Sequence, residues 1–236
     1  MDRTRLLLLA GAAVAAAVVV VVVVLVVGTG GGGSGSSDTT TTVAGPGGGT
    51  PASAVAGVPQ SGAVLGKATA PATLTVFEDP QCPYCRQWNV DTLPTVVQNY
   101  VRTGRVKIEY RGIVVIGENS IAGLRAIYGA APQNKLWNMV EALYERQGEE
   151  NSGWITIPVI KDAAREIGAN PAQVIAHADA KSVTAQLNAN QKLATQLGVN
   201  GTPAFFVQKP LGTPVELNVS GLEPDQFTPS LDEALR

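Results

Sequence analysis

Thr73-Leu74-Thr75-Val76-Phe77-Glu78-Asp79-Pro80-Gln81-Cys82-Pro83-Tyr84-Cys85 is the stretch on which the fold turns. Its first five residues are β-rich and Pro80 interrupts them, which predicts a short strand. A helix is predicted from Cys82-Pro83, because proline suits the first helical position. Leu93, Val96, Val97, Tyr100 and Val101 then fall on one apolar stripe at helical spacing. Pro94 lies inside that helix and predicts a kink or a broken start. Gly104 ends it, and Val106-Lys107-Ile108-Glu109-Tyr110 alternates as a second strand. Strand, helix and strand in this order imply a right-handed crossover and parallel pairing.

Downstream the pattern is helical. Ile121, Leu124, Tyr128 and Ala131 form one predicted apolar face, with Asn119 or Ser120 as its cap. Leu136, Met139, Val140, Leu143 and Tyr144 form another. Further helices are predicted over 156–167, 171–178 and 182–197, with prolines 132, 158 and 171 at the joints and Gly198 at the end. Ala204–Val207 and Val215–Val219 read as strands, and 224–236 as a last helix. The chain is therefore α/β, with β-α-β and β-β-α flanking a helical block.

The 17 basic and 19 acidic residues of the 236 leave a net charge of −2. Nucleic acid needs a basic face, so it is excluded as a partner. Leu6 to Val27 is an apolar run long enough to cross a hydrocarbon core. It lacks a small-x-small cleavage site, so an uncleaved transmembrane anchor is expected over residues 6–27. Arg3 and Arg5 precede it, which keeps residues 1–5 in the cytoplasm and exports the rest. Residues 28–62, rich in Gly, Ser, Thr, Ala and Pro, lack apolar periodicity and are expected to be a disordered linker. The folded domain is expected over 63–236, with a helical insertion at about 118–198.

The chain has two cysteines, Cys82 and Cys85, and one histidine, His177. A metal site of Cys and His alone needs more ligands than these supply. A C-x-x-C pair at a strand-to-helix junction suits reversible disulfide chemistry. The helix N-terminus offers partial positive charge and free N–H groups, so the Cys82 pKa is expected well below the free-thiol value of about 8.5. Cys82 would attack or be attacked, and Cys85 would resolve the mixed disulfide. An inert structural disulfide is the competing reading, although so small a loop adds little stability. His177, between Ala176 and Ala178, reads as a surface helix position. Gly201-Thr202-Pro203, directly before a strand, is compatible with a cis bond in a tight turn.

Phe77-Glu78-Asp79-Pro80-Gln81-Cys82-Pro83-Tyr84-Cys85, a helical block, and then Gly198-Val199-Asn200-Gly201-Thr202-Pro203-Ala204-Phe205 together resemble the DsbA family of thiol-disulfide oxidoreductases. The resemblance implies a thioredoxin fold with a helical insertion, here preceded by the transmembrane helix and flexible linker. It implies a cis Thr202-Pro203 bond beside the cysteines and a loop whose backbone pairs with an extended substrate. Pro83 and Tyr84 would tune the redox chemistry, and Thr202 and Pro203 would bind substrate. Many family members carry a buried acid six positions before the first cysteine, where this chain has Val76. Glu78 or Asp79 could take over proton transfer for Cys85, or both could be solvated at the strand end. Pro83-Tyr84 stands where the best-known oxidase has Pro-His, and without an imidazolium charge Cys82 is expected to be less acidic and the disulfide less oxidising than in that oxidase. Thr202 before the proline resembles isomerase-type relatives, whose N-terminal dimerisation domain has no counterpart in 28–62; a monomer is expected.

The expected function is extracytoplasmic thiol-disulfide exchange without a further cofactor, oxidising cysteine pairs in exported bacterial proteins. The resemblance implies reoxidation by a quinone-linked membrane partner, which the tether would keep at high effective concentration. The alternatives are a reductase or isomerase using the same residues, as in cytochrome c maturation, and a redox-inert binding or chaperone module. Glutaredoxins share Cys-Pro-Tyr-Cys, but export away from cytosolic glutathione disfavours that role.

Overall fold

The alternation of Leu74, Val76 and Glu78 against Thr73, Thr75 and Phe77 gives the central strand two faces to bury, and the surrounding elements supply a cover for each. The computed structural model describes residues 53–236. The expected anchor at 6–27 and most of the expected linker lie outside these residues. A six-stranded sheet has the order β1-β2-β4-β3-β5-β6. Its strands are β1 (Gln60–Ser61), β2 (Val64–Leu65), β3 (Ala72–Glu78), β4 (Val106–Gly112), β5 (Ala204–Gln208) and β6 (Val215–Glu216). β3 and β4 pair in parallel, Ala72 opposite Val106 through Glu78 opposite Gly112, and β5 runs antiparallel on the other side of β3.

The β3-to-β4 crossover is one helical run over 83–101. It comprises α1 (Pro83–Gln87), a π turn (Trp88–Thr92), α2 (Leu93–Val96) and a second π turn (Val97–Val101). Pro94 lacks an N–H and sits at the start of α2, just past the first π turn, so the expected broken start takes the form of a wide turn. The aromatic rings of Trp88, Phe205 and Phe227 meet with centroids 4.6–4.8 Å apart. They close one face of the sheet beneath α1 and the C-terminal helix α8 (Pro224–Ala234). On the opposite face Phe77, Ile113, Ala194 and Phe206 form a smaller cluster, to which α7 (Lys181–Gln196) contributes Ala194.

Five helices separate β4 from β5: α3 (Ser120–Gly129), α4 (Leu136–Glu145), α5 (Ile157–Glu166), α6 (Pro171–Ala178) and α7. The whole predicted stripe of α4 is buried. On α3 the buried face differs from the predicted one. Gly123, Leu124, Ala126, Ile127 and Tyr128 point inward, while Ile121 is exposed and Ala131 lies beyond the helix. Helix α6 sets that orientation, because it packs so closely that a Cβ at Gly129 would overlap the Val174 carbonyl oxygen. Neither expected cap acts as one: Asn119 makes no capping bond, and the Ser120 hydroxyl is drawn away to Asp79. The expected strand at 215–219 is regular only at Val215–Glu216, an exposed edge, although Leu217 still donates to the Phe205 carbonyl at 2.8 Å.

Residues 53–62 are folded rather than part of a disordered linker. Val55 and Val58 are buried, Ser53 and the Val55 N–H bond to Glu141, and Arg102 holds the Ala54 and Ala56 carbonyls. The hairpin β1–β2 turns through Gly62 at φ +57°, and Gln60 bonds Asn138 and the Trp137 N–H of α4. Two-residue strands have no periodicity to read, which is why composition alone assigned this segment to the linker.

Candidate active site

Because side chains alternate along a strand, the acid missing at Val76 reappears two residues later on the same face at Glu78. The chain then turns through Asp79-Pro80-Gln81, with the Cys82 N–H donating to the Asp79 carbonyl at 2.9 Å. Cys82 is the extended N-cap residue of α1 (φ −72°, ψ 120°), and Pro83 begins the helix where its missing N–H costs nothing. Cys85, one turn in, is completely buried, and both cysteines are free thiols. Tyr84, between them, is 63 % exposed.

The other wall comes from the residues before β5. Ala204 pairs with Phe77, which places the preceding Thr202–Pro203 peptide, cis in this structure, next to the cysteines. The Cys82 thiol donates to the Thr202 carbonyl at 3.1 Å and keeps 3 % of its surface exposed. The fold thus gathers Cys82, Pro83, Tyr84, Cys85, Thr202, Pro203 and Glu78 at the C-terminal end of β3. His177 lies near the end of α6 within the helical block, half-buried.

The two thiols are driven apart in acidity. The Cys85 thiol, hydrogen-bonded to Cys82, is the main reason the Cys82 pKa falls to about 6, overcoming partial burial. Thr202 and the backbone N–H groups of Cys85 and Tyr84 add to that. The helix N-terminus therefore contributes, but less than the neighbouring thiol and Thr202. Burial pushes Cys85 the opposite way, well above a free thiol, helped by its bond to Cys82 and the charge of Glu78. A thiolate that keeps an edge at the surface, beside a fully buried thiol that stays protonated, is the division of labour that two-step disulfide exchange requires.

Known proteins agree with this geometry. The thioredoxin family model matches residues 59–213. The chain belongs to the thioredoxin family. The "Probable disulfide bond formation protein D" of Bacillus cereus is 27% identical over 156 residues, covering 64% of this chain and 71% of that protein. A thioredoxin-like oxidoreductase from Silicibacter pomeroyi is 30% identical, covering 72% of this chain and 90% of its own, with a TM-score of 0.57. Oxidised BdbD from Bacillus subtilis shares the fold at a TM-score of 0.63 and 22% identity, covering 75% and 97% of the two chains. This thioredoxin-family protein is a thiol-disulfide oxidoreductase.

Glu78 and Asp79, which the sequence leaves as either catalytic or solvated, are both fully buried. Asp79 accepts from the Gln81 N–H (2.9 Å), the Ser120 hydroxyl (2.6 Å) and the Val115 and Ile116 N–H groups (2.8 and 2.9 Å). Four donors tie that carboxylate to the loops framing the site. Glu78 instead faces the cysteines; burial raises its pKa to about 8, opposed first by a hydrogen bond from Asn89.

Sequence reasoning missed several supporting residues. Asn89 donates to both Glu78 oxygens and to the Cys85 carbonyl. Its signal was present, since it is polar and one helical turn after Cys85. The Gln147 amide donates to the Pro80 and Cys82 carbonyls at 3.0 Å each, and Asn151 N–H to Gln81 at 2.8 Å. These two sit in the α4–α5 loop, whose sequence has no period that would reveal them. Among the described residues, no group of three His, Cys, Asp or Glu side chains is arranged to hold a metal ion.

Proposed function

We propose that this thioredoxin-family protein oxidises cysteine pairs in exported proteins, with Cys82 as the exchanging sulfur and Cys85 as the resolving one. In the forward reaction a substrate thiolate attacks Cys82 Sγ of the Cys82–Cys85 disulfide. Cys85 leaves as a thiolate, and the protonated Glu78 beside it supplies the proton. The second substrate thiolate then attacks the substrate sulfur of the mixed disulfide and expels Cys82 as a thiolate. Two electrons pass from the substrate pair to the enzyme pair. Thr202 and Pro203 flank the attacked sulfur and would hold the substrate chain, and exposed Tyr84 would meet its side chains.

One feature carries the direction: Cys82 stands at the N-cap of α1 beside the Cys85 thiol and Thr202, an environment that lowers its pKa to about 6. A leaving thiolate stabilised at neutral pH lowers the energy of the reduced enzyme and makes its disulfide a better oxidant. Equilibration with glutathione buffers tests this. The expected potential is less negative than thioredoxin's value of about −270 mV, and a value at or below it would reverse the assignment to a reductase. The Cys85→Ala variant separates enzyme from binding module. It is expected to accumulate substrate linked through Cys82, and the absence of adducts would leave only a structural cysteine pair.

The same reading places the domain outside the cytoplasm, tethered by residues 6–27, and monomeric, with a quinone-linked membrane protein to reoxidise it. Arg3 and Arg5 before the apolar run support that orientation. Among the described residues no helix is long and apolar enough to cross a membrane. Deleting residues 1–27 is expected to release the protein from membranes, and continued sedimentation with them would contradict the tether.

A further inference from the structure

Glu78 is 0 % exposed, so the groups packed around it decide how it behaves. Cys82 and Cys85 face it from the α1 turn and Tyr110 from β4, each opposing its charge, whereas Tyr144 of α4 hydrogen-bonds the carboxyl and favours the charged form. Asn89 is placed differently. Its Nδ2 lies 3.1 and 3.0 Å from the two Glu78 oxygens and 2.9 Å from the Cys85 carbonyl. One amide group therefore bridges the carboxyl to the backbone of the cysteine that exchanges its proton. The orientation of this amide follows from its surroundings: turned over, Oδ1 would face three oxygen acceptors.

We propose that Asn89 is a positioning residue for the exchange reaction, holding the Glu78 carboxyl against the Cys85 turn so that it trades a proton with the Cys85 sulfur. The inference rests on the reading of Glu78 as that proton-transfer group. Its location fits the role, since Asn89 lies in the π turn Trp88–Thr92, a departure from α geometry that often accompanies function. A donor to both oxygens favours the carboxylate, so removing it moves Glu78 further toward the protonated form. Closure of the mixed disulfide by Cys85 needs the carboxylate as base and would slow at neutral pH.

The test follows closure directly. The reduced full chain is mixed with excess oxidised glutathione, and release of glutathione by Cys85 is timed from pH 6 to 10 in wild type, Glu78→Gln, Asn89→Ala, Asn89→Leu and the double variant Glu78→Gln/Asn89→Ala. The wild type is expected to show an inflection near pH 8, absent in Glu78→Gln. Either Asn89 variant is expected to move it alkaline by about one pH unit, which is roughly tenfold slower closure at pH 7. The double variant is expected to match Glu78→Gln alone, an outcome that a merely structural Asn89 would not produce. Should the inflection survive Glu78→Gln, the Glu78 reading fails. Should it depend on Glu78 yet stay in place in a folded Asn89 variant, the Asn89 proposal alone is overturned. The leucine, which keeps the branching and heavy-atom count of asparagine, supplies that answer where alanine does not fold.

Discussion

Replacing Cys82 with serine is expected to lower oxidation of a reduced dithiol peptide by roughly a thousandfold or more, with the far-ultraviolet circular dichroism unchanged. The size of the effect follows from the geometry. Cys82 is the cysteine that reaches the surface and the one whose thiolate is stabilised near pH 6. Cys82 makes no side-chain capping bond that would be lost, and a serine hydroxyl is well suited to the N-cap. Cys85 cannot take over, because it is fully buried and its pKa is raised well above that of a free thiol. Activity retained above a few per cent would mean that another group carries the exchange.

The second large effect concerns stability. Glu78→Gln keeps the shape of the side chain and removes the ionisation that burial penalises. The folded-state pKa of about 8 lies above the ordinary value of 4.5. Below pH 4.5 both folded and unfolded chains are protonated there, so the acid costs nothing. Between pH 4.5 and 8 the unfolded state ionises while the folded state does not, and the penalty grows until it levels off above pH 8. At pH 7 the variant is therefore expected to be more stable by about 3 kcal/mol, raising Tm by roughly 6–12 °C, with no gain at pH 4. Equal stability of the two proteins at pH 7 and pH 4 would show that Glu78 is not held in a desolvated site. Gain of stability on losing a proton-transfer group is the usual signature of a site built for chemistry.

Much of this was legible in the chain. The strand, the proline-started helix and the paired cysteines follow from local rules, and the structure places each at the predicted residues. Helix α6 occupies Pro171–Ala178 because Asn170 caps it and proline opens it, both local signals. Features set by tertiary contact were not legible. The inward face of α3 depends on how closely α6 approaches Gly129, and the hairpin at 60–65 exists because α4 and β4 hold it. The site shows the same division. Val76 signals that the acid has moved, yet only the pleat of β3 shows that Glu78 shares its face and that Asp79 turns to the loops.

The account depends on a Cys82 thiolate held at neutral pH, and titrating the reduced protein by thiolate absorbance near 240 nm measures it. One thiolate is expected to appear with a midpoint near pH 6 and to vanish in Cys82→Ser, with Cys85 silent throughout the neutral range. A midpoint at or above about 8.5, the value of an unperturbed thiol, would contradict the account.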